Sequence, residues 1–298
     1  MPDLGLILSG ETSSTQHPFT SEDIFADEGG LLKKRGKVVY AHDFRNGYGG
    51  WNPVFNATGT EHPRSPLSLV DYPTRAMRLA APGTSLGQGV STDAIVRLAR
   101  PRFATDANGP VLSLSFRYAI FTEYGPGASG GSSQAVSVVS YGFGIDTQGW
   151  SDMQRERQFF SVLADSTADV NVETYRLRGS RTDSASAIAF ANVPTSRASG
   201  LMIGQNENKM NLAYGRLTVR PGLVPDYLEM QLGGKTVDLR GITAVNEPIQ
   251  WNATNYSADF NGGMNPFFSV KVLATATEVL AAGLLITDIC LTYGDELA

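Results

Sequence analysis

Apolar and polar residues alternate along most of the chain beyond Lys37, which is the pattern of β-strands with one buried face. The alternation is clearest in residues 111–121, where every second side chain is large and apolar: Leu112, Leu114, Phe116 and Tyr118. The intervening positions, Ser113, Ser115 and Arg117, are polar. Similar runs occur at 38–44, 136–145, 159–163, 210–219, 227–232, 235–239, 267–273 and 284–292. These patterns predict at least nine or ten strands.

One hairpin is predicted in detail, from 227 to 239. Two apolar–polar runs flank Gly233 and Gly234, and two glycines suit a type I′ turn because both of its central residues have positive φ. The predicted buried face consists of Leu228, Met230, Leu232, Val237 and Leu239.

Helical patterns are scarce, and residues 275–282 form the best short candidate. Many strands with irregular connections and no helical layer favour an all-β fold, a two-sheet antiparallel sandwich of jelly-roll type. No linker divides residues 38–298, so we expect one jelly-roll domain there.

Residues 1–37 have a different composition. They are rich in Ser, Thr and Gly, with an acidic piece followed by Lys33-Lys34-Arg35. Such a segment offers too little apolar surface to fold alone. We therefore predict an extended N-terminal arm that docks on neighbouring subunits, and expect a homo-oligomer.

Charge and cysteine content exclude several classes of protein. With 24 basic and 29 acidic residues the net charge is −5, which argues against binding to nucleic acid or to an anionic membrane surface. The single cysteine, Cys290, excludes an intrachain disulfide and a cysteine-based zinc site. The first ten residues lack a signal-peptide pattern, and the longest apolar run, 279–286, is too short to span a membrane.

No catalytic constellation stands out in the sequence. A glycosidase needs two carboxylates facing each other, for which Glu-x-Asp or Glu-x-x-x-Glu on one strand would be the expected pattern, and both are missing. The three histidines, His17, His42 and His62, are not at metal-ligand spacings. We expect a non-enzymatic protein, with a hydrolase that uses dispersed carboxylates as an alternative.

Asp288 is the acidic residue of most interest, because it lies within an apolar strand pattern where a carboxylate must be hydrogen-bonded, paired or metal-bound. We expect no cofactor and favour hydrogen bonding for Asp288. A structural calcium ion held by Asp43, Asp259 and Asp288 is the alternative.

Aromatic and amide side chains supply the remaining candidates for ligand binding, since sugar rings stack on aromatic faces. One group follows Gly47 and a second lies near the C-terminus; together they are Tyr48, Trp51, Asn52, Trp251, Asn252 and Tyr256. For Trp51 a position over the edge of the core is the favoured interpretation.

Three segments resemble concanavalin A-like domains and carbohydrate-binding modules: 40–51 (YAHDFRNGYGGW), 227–239 (YLEMQLGGKTVDL) and 284–292 (LLITDICLT). The resemblance spans residues 38–298 and implies a jelly-roll fold. It transfers no sugar-binding residue, because no lectin ligand set can be matched position by position.

The whole chain is also similar, more loosely, to minor tail or capsid-surface structural proteins of actinobacterial phages. That resemblance implies a virion component made in the host cytoplasm. It would contact other virion subunits through the arm and cell-surface glycans through the jelly roll. A stand-alone glycan-binding protein and a glycoside hydrolase are the alternatives.

Overall fold

The computed structural model describes residues 37–56, 67–72, 74–82, 91–96, 111–124, 138–151, 154–167, 173–181, 188–198, 212–222, 225–243, 246–248, 263–273 and 279–294. Apart from Lys37, the predicted arm lies outside these ranges, and its docking on other subunits stays a prediction.

Strands dominate the described ranges and occupy more than a third of the chain. In order they are β1 (Lys37–His42), β2 (Trp51–Asn56), β3 (Leu67–Tyr72), β4 (Thr74–Pro82), β5 (Ser91–Val96), β6 (Leu112–Tyr124), β7 (Val138–Ser151), β8 (Gln154–Thr167), β9 (Glu173–Arg181), β10 (Ile188–Asn192), β11 (Ala213–Arg220), β12 (Asp226–Leu232), β13 (Lys235–Thr243), β14 (Asn246–Pro248), β15 (Gly263–Leu273) and β16 (Val279–Tyr293). A short helix, α1 (Thr195–Ala198), follows β10.

The described strands form two eight-stranded sheets. Sheet A has the order β13-β12-β11-β6-β16-β4-β3, with β1 also paired to β16. Sheet B has the order β10-β9-β8-β7-β15-β5-β2, with β14 paired to β8. All pairings are antiparallel. The predicted two-sheet antiparallel sandwich of jelly-roll type is confirmed.

The main core lies between the two sheets and contains the faces predicted from the alternation. Phe116 of β6 is central to it, with its ring centroid 5.0 Å from that of Phe143 in β7 and 4.9 Å from that of Phe268 in β15. Leu112, Leu114 and Tyr118 join Phe116 in this cluster, as predicted.

The second face of β6 differs from the prediction, because it is buried as well. Ser113 shares a hydrogen bond of 3.0 Å with Thr218 of β11, and Tyr214 donates one of 3.1 Å to Ser115. Polar side chains on this face thus bond to one another across neighbouring strands.

The predicted hairpin is confirmed as β12 and β13, but its turn type is not. Gly233 has a φ of +57°, whereas Gly234 is outside the positive-φ region, which is the pattern of a type II′ turn. All five predicted apolar residues are buried. The pairing register with β13 shifts between Tyr227 and Glu229, and the main core contains Tyr227 in place of Leu228, together with the other four.

The predicted helix at 275–282 is wrong for its last four residues, which belong to β16. Residues 274–278 lie outside the described ranges. Pairing with β4 and β6 on both sides places this segment in the middle of Sheet A, where main-chain hydrogen bonding overrides a weak helical preference. None of the helices in the described ranges is long and apolar enough to cross a membrane.

Candidate functional site

The chain crosses from Sheet A to Sheet B between β1 and β2, and we call residues 40–51 the β1–β2 corner. Two tight turns build it, closed by hydrogen bonds from the Gly47 amide to the Phe44 carbonyl (3.3 Å) and from the Trp51 amide to the Tyr48 carbonyl (3.0 Å). Phe44, Gly47, Gly49 and Gly50 have positive φ, so three glycines allow the sharp change of direction.

His42 holds the middle of the corner from inside. Its Nε2 lies 2.9 Å from the Gly47 carbonyl oxygen, and because a carbonyl only accepts hydrogen bonds, Nε2 carries the hydrogen. The imidazole also packs edge-on against Phe44, with centroids 4.7 Å apart. A Cβ on Gly49 would come within 2.6 Å of the imidazole, so only glycine fits there.

Tyr40 and Trp51 fix the base of the corner. The Trp51 indole donates a 2.9 Å hydrogen bond to the Tyr40 hydroxyl, which in turn donates to the Gly49 carbonyl at 3.0 Å. Burial raises the pKa of Tyr40, and the hydrogen bond from Trp51 opposes this only in part. The hydroxyl is therefore neutral and available as a donor at physiological pH.

Trp51 itself belongs to the core, and its proposed stacking role needs correction. Its side chain is 3% exposed, and its ring lies 5.4 Å from that of Phe268. A ring buried to this extent offers no face to a sugar. Trp51 covers the edge of the core, which is the position that the sequence favoured.

Tyr48 has the opposite environment, since its side chain is 39% exposed. Among the large hydrophobic residues whose side chains the structure describes, Tyr48 is the exposed one, and the others are buried or half-buried. Its hydroxyl lies 3.4 Å from the Leu67 carbonyl at the start of β3, and the adjacent Arg45 and Asn46 are exposed too. The corner thus presents an aromatic ring flanked by a guanidinium and an amide.

The structure brings together only part of the group named from the sequence, namely Tyr48 and Trp51. Asn52 lies in β2 opposite Ile95, in a part of the strand whose side chains are not described. Trp251, Asn252 and Tyr256 lie outside the described residues, and their role in binding stays a prediction. Sequence reasoning missed Arg45 and Asn46, although their position between the first strand and Tyr48 could have indicated them.

A second polar group includes the corner residue Asp43, whose charge acts on Asp288 of β16. Asp43 is 6% exposed and accepts a 3.1 Å hydrogen bond from the Arg45 amide, and its other oxygen is 3.4 Å from the Arg45 guanidinium. Asp288 accepts a 2.9 Å hydrogen bond from Thr287 and pairs in register with Arg117 of β6.

Burial is the main reason why the pKa of Asp288 is raised, and the nearby Asp43 charge adds to it. Hydrogen bonding to Thr287 and the charges of Arg117 and Arg45 act in the opposite direction.

A metal ion at these carboxylates would compete with the two arginines. The described part of the chain contains no group of three or more His, Cys, Asp or Glu side chains placed to hold a metal. Asp259, the third residue considered for calcium, lies outside it. Calcium binding stays the alternative to the expectation of no cofactor, and unfolding measurements with calcium and with EDTA would test it.

Comparison with known proteins gives matches only among solved structures. No protein-family model matches the chain, and neither does any curated protein. The carbohydrate recognition domain of Emp47p is similar with a TM-score of 0.43 and 11% identity over 89% of this chain and 100% of that one.

Two further solved structures are similar at a lower level. A Bauhinia forficata lectin in complex with GalNAc has a TM-score of 0.38 and 8% identity, over 86% of this chain and 97% of its own. The family 16 endo-β-1,3(4)-glucanase SCLam has a TM-score of 0.35 and 9% identity, over 89% and 94%. At such scores and identities, these three structures assign no site or activity to this chain.

Proposed function

We propose that this protein is a non-enzymatic jelly roll that binds glycans at the β1–β2 corner, with the Tyr48 ring as the stacking surface. The observation that supports this is the exposure of Tyr48 on a backbone held by hydrogen bonds from His42, Tyr40 and Trp51. Binding residues are found disproportionately on loops that a rigid scaffold holds in position, and the corner is such a loop.

Preorganisation is the physical advantage of this corner. Binding costs free energy when loops and side chains must be ordered, and a loop already fixed in place avoids much of that cost. The turn hydrogen bonds fix the backbone that carries the ring, and the Tyr48 hydroxyl lies 3.4 Å from the Leu67 carbonyl. Arg45 and Asn46 beside it provide donors and an acceptor for sugar hydroxyls.

The test is a glycan-binding measurement on the parent chain and on Tyr48→Ala. We expect the parent to bind a subset of soluble polysaccharides or arrayed glycans, and Tyr48→Ala to lose about tenfold or more in affinity, the effect of removing an interface residue that contributes about 1.4 kcal/mol. Isothermal titration or an immobilised-glycan assay measures this loss.

Tyr48→Phe is the matched control, because it keeps the ring and removes only the hydroxyl contact with Leu67. It should bind nearly as well as the parent. Equal binding by Tyr48→Ala and the parent would refute the corner as the site. Release of reducing sugar from a bound polysaccharide, abolished by Asp288→Asn, would instead support the hydrolase alternative at Asp43 and Asp288.

The narrower role, a structural component of a phage virion, rests on the composition of residues 1–37 and on the loose resemblance of the chain. Deleting residues 1–30 should leave the domain from Lys37 folded, with a melting temperature within a few degrees of the parent. The same deletion should abolish incorporation into particles. A truncated chain that is still incorporated, or that unfolds, would contradict an arm used for assembly.

A further inference from the structure

Strand β13 forms one lateral end of Sheet A, and its outer edge has no neighbouring strand among the described residues. Its Val237 and Leu239 side chains enter the core, while Thr236, Asp238 and Arg240 are exposed. An edge strand of this length presents main-chain donors and acceptors that can pair with another chain.

In the middle of β13, side chains form hydrogen bonds with these main-chain groups. The Arg197 guanidinium of α1 donates to the carbonyl oxygens of Asp238 at 3.3 Å and Arg240 at 3.4 Å. The Arg240 amide donates to the Asp238 carboxylate at 3.0 Å. Three successive edge groups are therefore satisfied within the chain, without a partner strand.

The position of α1 explains how Arg197 reaches this edge. The helix follows β10, the lateral strand of Sheet B, after Val193, which is buried and donates its amide to the Tyr175 carbonyl at 2.8 Å. The chain thus passes from the end of one sheet to the end of the other. Arg197 lies where it can bond the main chain of β13.

We propose that the hydrogen bonds of Arg197 and Asp238 to the main chain of β13 prevent this edge from pairing with a second copy of the chain. Removing them then produces an antiparallel edge-to-edge dimer. The partner is a second copy because the exposed acidic and basic side chains of β13 can pair with those of the same strand in another molecule. Pairing two copies about Leu239 places Asp238 of each opposite Arg240 of the other.

Hydrogen-bond geometry and charge select the same register. In an antiparallel ladder, residues whose main-chain groups point outward pair reciprocally when they lie opposite each other. Asp238 and Arg240 both present outward groups on either side of Leu239, next to the register shift of β13 against β12, and the register centred on Leu239 places them opposite each other. Registers centred on Asp238 or Arg240 would place like charges together, which is destabilising.

The first experiment compares the parent with Arg197→Ala by light scattering after size-exclusion chromatography over a concentration series. We expect the dissociation constant for dimer formation to fall at least tenfold in the variant. Hydrogen exchange of the amides in 236–241 should slow as the protein concentration rises. Arg75→Ala is the control, because it removes an equal charge from an exposed ion pair with Asp71 on distant strands and should leave association unchanged.

A second variant tests the register. Asp238→Lys in the Arg197→Ala background places positive charges opposite each other and should return the dissociation constant to the parent value or above it. Arg197→Lys serves as the opening variant if Arg197→Ala lowers the melting temperature, since one ammonium group cannot reproduce the planar guanidinium contacts.

The proposal is overturned if folded Arg197→Ala associates no more strongly than the parent, or if Arg75→Ala strengthens association equally. Slower exchange at another edge, with residues 236–241 unaffected, would overturn it too. None of these outcomes depends on whether Tyr48 binds glycans.

Discussion

Phe44 has a φ of 61°, a conformation that is costly for a residue with a bulky side chain. Its side chain is fully buried in the main core and contacts His42 and Trp51. Strain of this kind persists where surrounding contacts fix the backbone, and it is frequent at functional sites. At the residue scale, the β1–β2 corner therefore combines strained backbone, buried aromatic contacts and one exposed ring.

The turn of the β12–β13 hairpin provides the cleanest test of backbone conformation. Gly233 has positive φ and Gly234 does not, and a Cβ at either would meet nothing within 4 Å. Gly233→Ala should lower the free energy of unfolding by about 1–2 kcal/mol, because an L-residue is strained at this φ. Gly234→Ala should not lower the free energy of unfolding by more than about 0.5 kcal/mol.

Urea unfolding of both variants measures the difference. Equal losses at the two glycines would show that both require positive φ, as in a type I′ turn.

Asp288 should make stability depend on pH. A carboxyl whose pKa is higher in the folded state than in the unfolded chain favours folding at low pH, and that contribution disappears as the pH rises through the folded value. Burial raises the pKa of Asp288, despite the opposing charges of Arg117 and Arg45. Asp288→Asn should therefore gain stability relative to the parent as the pH rises from about 3 to 7.

Thermal unfolding of the two proteins across that range tests this, with the exposed Asp71→Asn as control. If the melting temperature of Asp288→Asn minus that of the parent stays constant or falls as the pH rises, Asp288 does not have a raised pKa.

At the element scale, neighbouring strands of Sheet A are joined by polar side chains as well as by main-chain hydrogen bonds. Arg216 of β11 is 3% exposed and forms an ion pair with Glu229 of β12. The alternation of apolar and polar residues around Glu229 does not indicate a partner for it. Its partner was missed because it lies on another strand, and only the pairing of β11 with β12 brings the two together.

Removing Glu229 should be costly, because Arg216 would stay buried without its counter-charge. We expect Glu229→Ala to reduce the free energy of unfolding by about 2–4 kcal/mol. The double variant Arg216→Met/Glu229→Leu should lose less than the single one, since apolar replacement of a buried pair is often near neutral. Asp71→Ala, which breaks the exposed pair with Arg75, should cost less than about 1 kcal/mol. A double variant no more stable than Glu229→Ala would contradict this account.

At the scale of the whole molecule, one main core joins the two sheets. Phe116 of Sheet A contacts Phe143 and Phe268 of Sheet B, and Phe268 contacts Trp51 at the corner. The corner that presents Tyr48 is thus supported directly by the core.

Phe116→Ala should therefore destabilise the whole domain. The expected loss is about 3–5 kcal/mol, the usual cost of replacing a buried phenylalanine with alanine. Chemical denaturation, monitored by the loss of the β-type far-UV circular dichroism spectrum, measures this loss of unfolding free energy. Tyr48→Ala should cost far less, because that ring is exposed. A similar loss for both would place Tyr48 in the core.

The sequence by itself determined the fold class, the longest strands and their core faces, because alternation with period two is a local property that burial of one face imposes. The sequence also identified the hairpin and the glycine-rich corner, because both depend on residues that are close together along the chain. Only the tertiary structure decided that Tyr48 is exposed, that Asp43 lies near Asp288, and that Arg197 reaches the edge of β13. These facts depend on which distant strands become neighbours, and pairing over long sequence separations leaves no periodic trace in the residues themselves.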